Sequence, residues 1–306
     1  MGAERLTYSV SHHTALRYSE PVVPSFNEAR MRPRARGSQK TVAFALTTSP
    51  PVVPRSRVDY FGNYVHRVDI GVPHDTLEIA VEAVVESVVA NAPPSARPWN
   101  AQLLERDPRL EFALPSPRVP LGGEPAALWR EWTGGDRSLD ALLACAERIR
   151  ATFRYVAGAT TVDSSIDELL HGGAGVCQDF THLFLAVARS AGWPTRYVSG
   201  YLGPAADGET AHGASHAWAE VCGADHRWVG IDPTHGGAAG AEHLRLAVGR
   251  DYGDVAPHRG LFFGSATASP PEVHVRVSRM PAAAAFAVER TADMQWRQQL
   301  QQQQQS

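Results

Sequence analysis

Apolar and polar positions alternate from the start of the chain. Leu6, Tyr8, Val10 and His12 interleave with Thr7, Ser9 and Ser11, the period of a half-buried strand. Leu77, Ile79, Val81 and Ala83 repeat that period. Between them, Pro50-Pro51 and Pro54 interrupt the pattern, and Phe61-Gly62-Asn63-Tyr64 reads as a turn between strands. Short strands separated by turn signals predict a small β-sandwich domain over residues 1–90. Residues 91–136 are different in character. Pro93, Pro94, Pro98, Pro108, Pro115, Pro117, Pro120 and Pro125 leave room only for short helices, which predicts a linker or wrapping segment.

Helical spacing then takes over. Leu139, Leu142, Leu143, Ala146, Ile149 and Phe153 share one face over 138–155, with Ser138 placed to cap the start. Residues 167–170 form a short helical turn. The strongest helix is predicted over 177–191, where Phe180, Leu183, Phe184, Val187, Ala188 and Ala191 fall at helical spacing. Leu185 and Ala186 widen its apolar face, so it is expected at the centre of the fold. Gly192 stops it, and Pro194 prevents its return. Strands are predicted at 195–202, 215–221, 227–232 and 273–277. Residues 137–280 thus read as a mixed α+β core, and 281–306 as a tail. The glutamine-rich stretch Gln298–Gln305 is polar low-complexity sequence to which no function is assigned.

Composition adds bounds. A chain of 306 residues favours two domains, and its 43% apolar and 20% charged content is ordinary for a globular protein. The net charge of −3 is too small to imply a nucleic-acid or anionic-membrane partner. The local basic run from Arg30 to Arg36 has no interleaved aromatic platform and reads as a solvated loop. Three cysteines, Cys145, Cys177 and Cys222, do not build a disulfide framework. With no leader-like start and no long apolar run, the simplest expectation is a reduced, cytoplasmic protein without a membrane partner.

The candidate chemistry centres on Gly175-Val176-Cys177-Gln178-Asp179-Phe180. A cysteine attacks a carbonyl as its thiolate, and the unpaired N–H groups and dipole of a helix N-terminus favour that charge. Cys177 occupies such a place, after the run Gly172-Gly173-Ala174-Gly175, which lets the chain turn sharply and leaves room for a substrate. A lone cysteine is more often a buried packing residue; a compatible histidine and aspartate downstream change that balance. If 215–222 and 226–232 form a hairpin through Gly223-Ala224-Asp225, pairing Cys222 with His226 sets His216 opposite Asp232 on one sheet face. A five-residue loop keeps the same face but makes the pair diagonal, and a one-residue slip separates them. On the shared face, Asp232 accepts from one imidazole nitrogen of His216, and the other is left for the thiol. This is the order of nucleophile, base and orienter.

Other residues carry less. Cys145 reads as packing, and Cys222 sits at the hairpin tip. His12-His13 and His182 read as structural. His212 and His216 stand four apart, a metal-like spacing that requires a helix, yet Gly213 and the strand-like residues after it oppose one. The glycine run lacks the Gly-Lys-Ser/Thr ending of a phosphate cradle.

Taken together, Gly175–Phe180, Arg196-Tyr197-Val198-Ser199-Gly200-Tyr201, Ser215-His216-Ala217-Trp218, Gly230–Thr234 and Ala247–Pro257 resemble the bacterial transglutaminase-like family. The opening resembles that family's N-terminal β-domain, from Tyr8–His12 through Tyr18–Val22 to Asp59–Asn63. The resemblance implies a papain-like transglutaminase core, with a nucleophile helix packed on an antiparallel sheet. It implies Cys177 as nucleophile, His216 as base and Asp232 as orienter, with the backbone N–H of Cys177 in the oxyanion hole. Gln178 and Tyr155 are candidates for the second donor, although Gln178 reads equally well as an exposed first-turn residue. Family members include protein-crosslinking enzymes, amide hydrolases and candidate cysteine proteases, all attacking an amide carbonyl to give a thioester. The expected partner is therefore a peptide or protein amide, with hydrolysis favoured over transamidation. No cofactor is implied, and the spaced Asp/Asn pattern of a calcium loop does not occur in the sequence. Two other classes remain in play: a non-catalytic peptide-binding or scaffolding module using the β-domain's sheet edges, and a metal enzyme using His212, His216 and Asp232.

Overall fold

The computed structural model describes residues 5–35, 37–88, 95–213 and 215–281. The glutamine-rich stretch singled out above lies outside them. The chain begins with six strands: β1 (Arg5–Val22), β2 (Ser25–Ala29), β3 (Gln39–Ser49), β4 (Arg55–Val58), β5 (Tyr64–Ile70) and β6 (His74–Val88). Next come α1 (Ala101–Leu104), a 3-10 turn (Pro108–Ala113), α2 (Gly123–Thr133) and α3 (Leu139–Thr152). The core continues with β7 (Arg154–Tyr155), α4 (Ile166–Gly172), β8 (Ala174–Gly175), α5 (Cys177–Ser190) and β9 (Thr195–Leu202). The last run holds β10 (Thr210–His212), β11 (Ser215–Cys222), β12 (Trp228–Asp232), β13 (Gly237–Ala238), β14 (His243–Gly249), α6 (Tyr252–Val255), β15 (His258–Phe262) and β16 (Glu272–Met280).

Two sheets make the sandwich. One has strand order β10-β16-β1-β6-β3 and the other β15-β2-β5-β4. β10, β15 and β16, all from the segment 137–280, therefore pair with strands from 1–90. The alternation in β1 continues past His12: Tyr8, Val10, His12, Thr14, Leu16 and Tyr18 are all buried. The first half of that face packs with Tyr201, Leu244 and Leu246 of the core sheet. The second half packs with Val68 and Ile70 of β5. One long strand thus joins both layers, and its two polar inward residues, His12 and Thr14, fall at the junction.

The core sheet has order β13-β12-β11-β9-β14. α5 packs on β11 and β9, with α2, α3 and α4 around it. Every residue of α5 from Gln178 to Arg189 is buried, which accounts for the widened apolar face. The proline-rich segment contributes to this core through Val119 and Trp129. The predicted helix over 138–155 stops at Thr152, because Arg154 and Tyr155 leave it to pair in parallel with Ala174 and Gly175. That short pairing sets Tyr155 beside the start of α5.

Side-chain amides dock the β-domain onto the exposed edge of β14. Asn63 Nδ2 donates to Val248 O (2.9 Å), and its Oδ1 accepts from Val248 N (2.8 Å). Gln39 does the same at Arg245, with Nε2 to the carbonyl (2.9 Å) and Oε1 from the amide (2.8 Å). Each amide substitutes for a neighbouring strand, so the edge's polar groups are satisfied without further pairing.

A buried ion triad braces the same sheet. Glu220, 1% exposed, accepts from Arg196 Nε (2.7 Å) and Nη2 (2.5 Å) and from Arg245 Nε. Burial would raise the Glu220 pKa, but the two guanidinium groups overcome it and hold the carboxyl at about 2. The folded pKa is depressed, so this stabilisation is full above the ordinary glutamate value of about 4.3 and is lost as pH falls through about 2. Glu220→Gln, which leaves two buried cations without their carboxylate, is expected to cost about 3–5 kcal/mol at neutral pH. Urea unfolding should show the gap to wild type closing as pH falls from about 4.3 toward 2; a gap that does not change with pH would remove the triad's electrostatic role.

Candidate active site

Cys177 stands at the first helical position of α5, after the N-cap Val176. Its N–H is therefore one of the first-turn donors with no intrahelical acceptor. The cap is held from the side: Asp179 Oδ2 accepts from Val176 N (2.8 Å) and from the Thr160 hydroxyl (2.5 Å). Gly175 fits against this arrangement, since a Cβ there would come within 2.9 Å of both the Asp179 carboxylate and Leu169. Gly173 is left-handed (φ 66°) and closes α4. The absent side chain at Gly175 thus makes room for the cap, not for a substrate as its place in the sequence suggested. Cys177 is partly exposed, whereas Cys145 and Cys222 are buried. Burial pushes those two thiols up to about 12 and about 11.

His216 lies on β11 opposite Gly200 of β9. The Trp218 ring lies 6.1 Å from the imidazole with an interplanar angle of 25° and also covers Gly200. A Cβ at Gly200 would come 2.4 Å from that ring and 2.3 Å from the Leu244 carbonyl. The β11–β12 hairpin pairs Cys222 with Trp228 and Glu220 with Gly230. The tighter register, with Cys222 opposite His226, does not form. His226 instead sits in the loop with a positive φ of 64°, donating its N–H to Gly223 O beside the Trp99 ring. His216 and Asp232 are therefore diagonal on one face, and they still meet, Nε2 to Oδ2 at 2.7 Å.

Asp232 is fully buried, and its two oxygens divide the work. Oδ1 accepts from the backbone N–H groups of Thr234 (2.8 Å) and His235 (3.3 Å), fixing the turn after Pro233. Oδ2 receives three imidazoles: His216 Nε2, His235 Nδ1 (2.7 Å) and His243 Nε2 (3.0 Å). His243 Nδ1 lies 3.0 Å from Gly240 N and 3.2 Å from Glu242 Oε1, while its Nε2 faces the Asp232 carboxylate. Burial alone would raise the Asp232 pKa; the three imidazole hydrogen bonds outweigh it and hold the group far below the usual carboxylate range. Burial likewise pulls His216 down, but hydrogen bonds and charge from Asp232 and Cys177 reverse this, so its pKa is raised. With Nε2 committed to Asp232, Nδ1 is the nitrogen left for the sulfur.

His235 and His243 did not stand out in the sequence. His235 is three residues beyond Asp232, and its imidazole returns only because Oδ1 turns the backbone. His243 comes from β14, two strands away from β11. His212, paired with His216 in the metal reading, is on exposed β10 in the first sheet. Among the described residues, the atoms within metal-ligating reach of one another, 4.8 Å, are those of His216, Asp232 and His243. Both imidazoles are already hydrogen-bonded to the Asp232 carboxylate.

Both candidates for the second oxyanion donor are close by. Tyr155 pairs beside Gly175 at the start of α5; burial first, then interaction with Cys177, raise its pKa. Gln178 is buried rather than an exposed first-turn residue, and its Nε2 donates to Val162 O (3.1 Å). His182 is structural as expected: it accepts from Tyr252 N (3.2 Å), and burial lowers it to about 3. His12, in contrast, joins Cys177 and His216 in lining a cavity of about 430 Å³. An open groove of about 410 Å³ also borders His216 and is lined by Tyr155, His212 and His235.

A helix that begins at a cysteine, packed on an antiparallel sheet bearing an Asp-anchored histidine, is the α+β core of the papain-like thiol enzymes. The chain belongs to the bacterial transglutaminase-like family: residues 8–86 match its bacterial transglutaminase-like N-terminal region, and residues 127–233 match the transglutaminase-like superfamily. An uncharacterised protein of Mycobacterium leprae is 35% identical over 276 residues, spanning 89% of this chain and 98% of that protein. A protein-glutamine gamma-glutamyltransferase of Pseudomonas aeruginosa is 34% identical over 82 residues, 25% of this chain and 12% of that protein. The crystal structure of a candidate cysteine protease from Cytophaga hutchinsonii shares the fold, with a TM-score of 0.72 over 92% of each chain at 20% identity.

Proposed function

We propose that this protein is a thiol enzyme that attacks peptide or side-chain amides through a thioester, with Cys177 as nucleophile, His216 as base and Asp232 as orienter. The observation that carries this reading is the His216 ring, bound through Nε2 to a buried carboxylate (2.7 Å) and lining the same cavity as Cys177, whose charge helps raise the imidazole pKa. The proton of the Cys177 thiol passes to His216 Nδ1 as sulfur adds to the carbonyl carbon. The Cys177 N–H and the Tyr155 hydroxyl are placed to receive the oxyanion. His216 then returns the proton to the leaving nitrogen, the C–N bond breaks, and a thioester remains. Water entering from the open groove completes hydrolysis, and a primary amine there would complete transamidation. Hydrolysis is the outcome we favour: among the described residues no Asp or Glu lines that groove to hold an incoming ammonium.

Incubating the protein with a peptide pool, quenching in acid and mapping adducts by mass spectrometry is expected to show an acyl group on Cys177 alone. Products carrying a free carboxylate, even with a primary amine added, identify hydrolysis. Unmodified Cys177 across a broad amide panel would sink the enzymatic reading and leave a peptide-binding module.

A further inference from the structure

The cavity at Cys177 has two walls of different origin. The catalytic sheet supplies one, including Tyr201 and Leu246. The sandwich supplies the other, with His12 and Thr14 from β1, Val273 and Val275 from β16, and Met31. We propose that the β-domain forms the far wall of the acyl pocket, and that this pocket selects an uncharged, mainly apolar residue on the acyl side of the attacked amide. The proposal rests on the thiol-enzyme reading given above.

Three observations support it. First, among the described residues no Asp, Glu, Lys or Arg lines the cavity. Second, the two histidines that the sandwich contributes are already engaged: His12 Nδ1 is 2.7 Å from the Tyr201 hydroxyl, its Nε2 is 3.0 Å from Thr14 Oγ1, and His258 Nε2 is 3.0 Å from Asn27 Oδ1. Burial lowers both His12 and His258 to about 4, so each is neutral at working pH. Third, the wall is rigidly placed, because Asn63 and Gln39 clamp the β-domain to β14, the strand that carries Leu246. A volume of about 430 Å³ suits a small-molecule-sized group. A carboxylate or ammonium placed there would be desolvated without a counter-charge. The second groove, with His212 and His235, shares His216 with this cavity and offers a separate place for the leaving amine or incoming acceptor.

The test uses the full-length protein and p-nitrophenyl esters of N-acetylated phenylalanine, leucine, glutamate and lysine, which acylate an accessible thiolate without a leaving-group barrier. Iodoacetamide labelling of Cys177 is measured in parallel as a pocket-independent report of the thiol. The phenylalanine and leucine esters are expected to acylate Cys177 about 100-fold faster, in kcat/KM, than the glutamate and lysine esters. Val273 is 46% exposed on the sandwich wall, so a carboxylate there is compatible with folding. Val273→Glu is expected to raise the lysine-to-phenylalanine preference at least tenfold, and the wild-type series is decisive without it. Fast, selective labelling of Cys177 with a flat preference, or one for charged esters, overturns the pocket assignment and leaves the thiol-enzyme reading standing. Absence of selective labelling overturns both.

Discussion

Cys177→Ala is expected to remove turnover altogether, lowering kcat by a factor on the order of 10⁴–10⁶ while leaving the fold intact. The size follows from the role: without the sulfur there is no thioester, and only oriented binding remains. The same logic gives a labelling pattern. In the wild-type protein iodoacetamide should modify Cys177 first, because Cys145 and Cys222 are buried and burial pushes their thiols to about 12 and about 11. In Cys177→Ala the fast phase should vanish. Equal, slow modification of all three cysteines in the wild type, or residual turnover within tenfold in the variant, would sink the nucleophile assignment.

Asp232→Asn is expected to cost about 10⁴ in kcat, with KM changed far less. The carboxylate holds the proton on His216 Nε2 and leaves Nδ1 free to accept from sulfur. An amide can present its NH₂ instead, which favours the opposite tautomer with an Nδ1–H facing the thiol. The substitution also disturbs His235 and His243, which share the same oxygen. Breaking a buried charged network of this kind is expected to cost about 3–5 kcal/mol in unfolding free energy. Kinetics and urea unfolding on one preparation separate the two effects. A stability loss accompanied by less than a tenfold fall in kcat would make Asp232 a structural group and not the orienter.

Much of the fold was legible in the chain because it depends on local periodicity. The inward face of β1, the run Leu77 to Ala83 and the apolar girth of α5 all follow from repeats of two or about 3.6 residues. The site was legible where one side chain per element sufficed: Cys177 opens a helix after glycines, and His216 and Asp232 keep the same face in either hairpin register. The register itself was not legible. Three-residue and five-residue loops both preserve that parity, and the choice rests on His226 taking a left-handed conformation beside Trp99, a residue from the proline-rich segment. Tyr155 was placed in a helix by its spacing, and a two-residue parallel pairing with Ala174-Gly175 removed it. His12 read as structural because nothing within β1 says which layer its inward face meets.

By itself, the sequence determined which candidate residues could share one site, since a helix start and a hairpin parity are properties of neighbouring residues. Tertiary structure decided what surrounds them. It brought His235 and His243 onto the Asp232 oxygen that binds His216, and it set β1 and β16 against the core sheet to enclose the cavity. Both outcomes depend on which distant strands become neighbours, and that is settled by the packing of whole sheet faces.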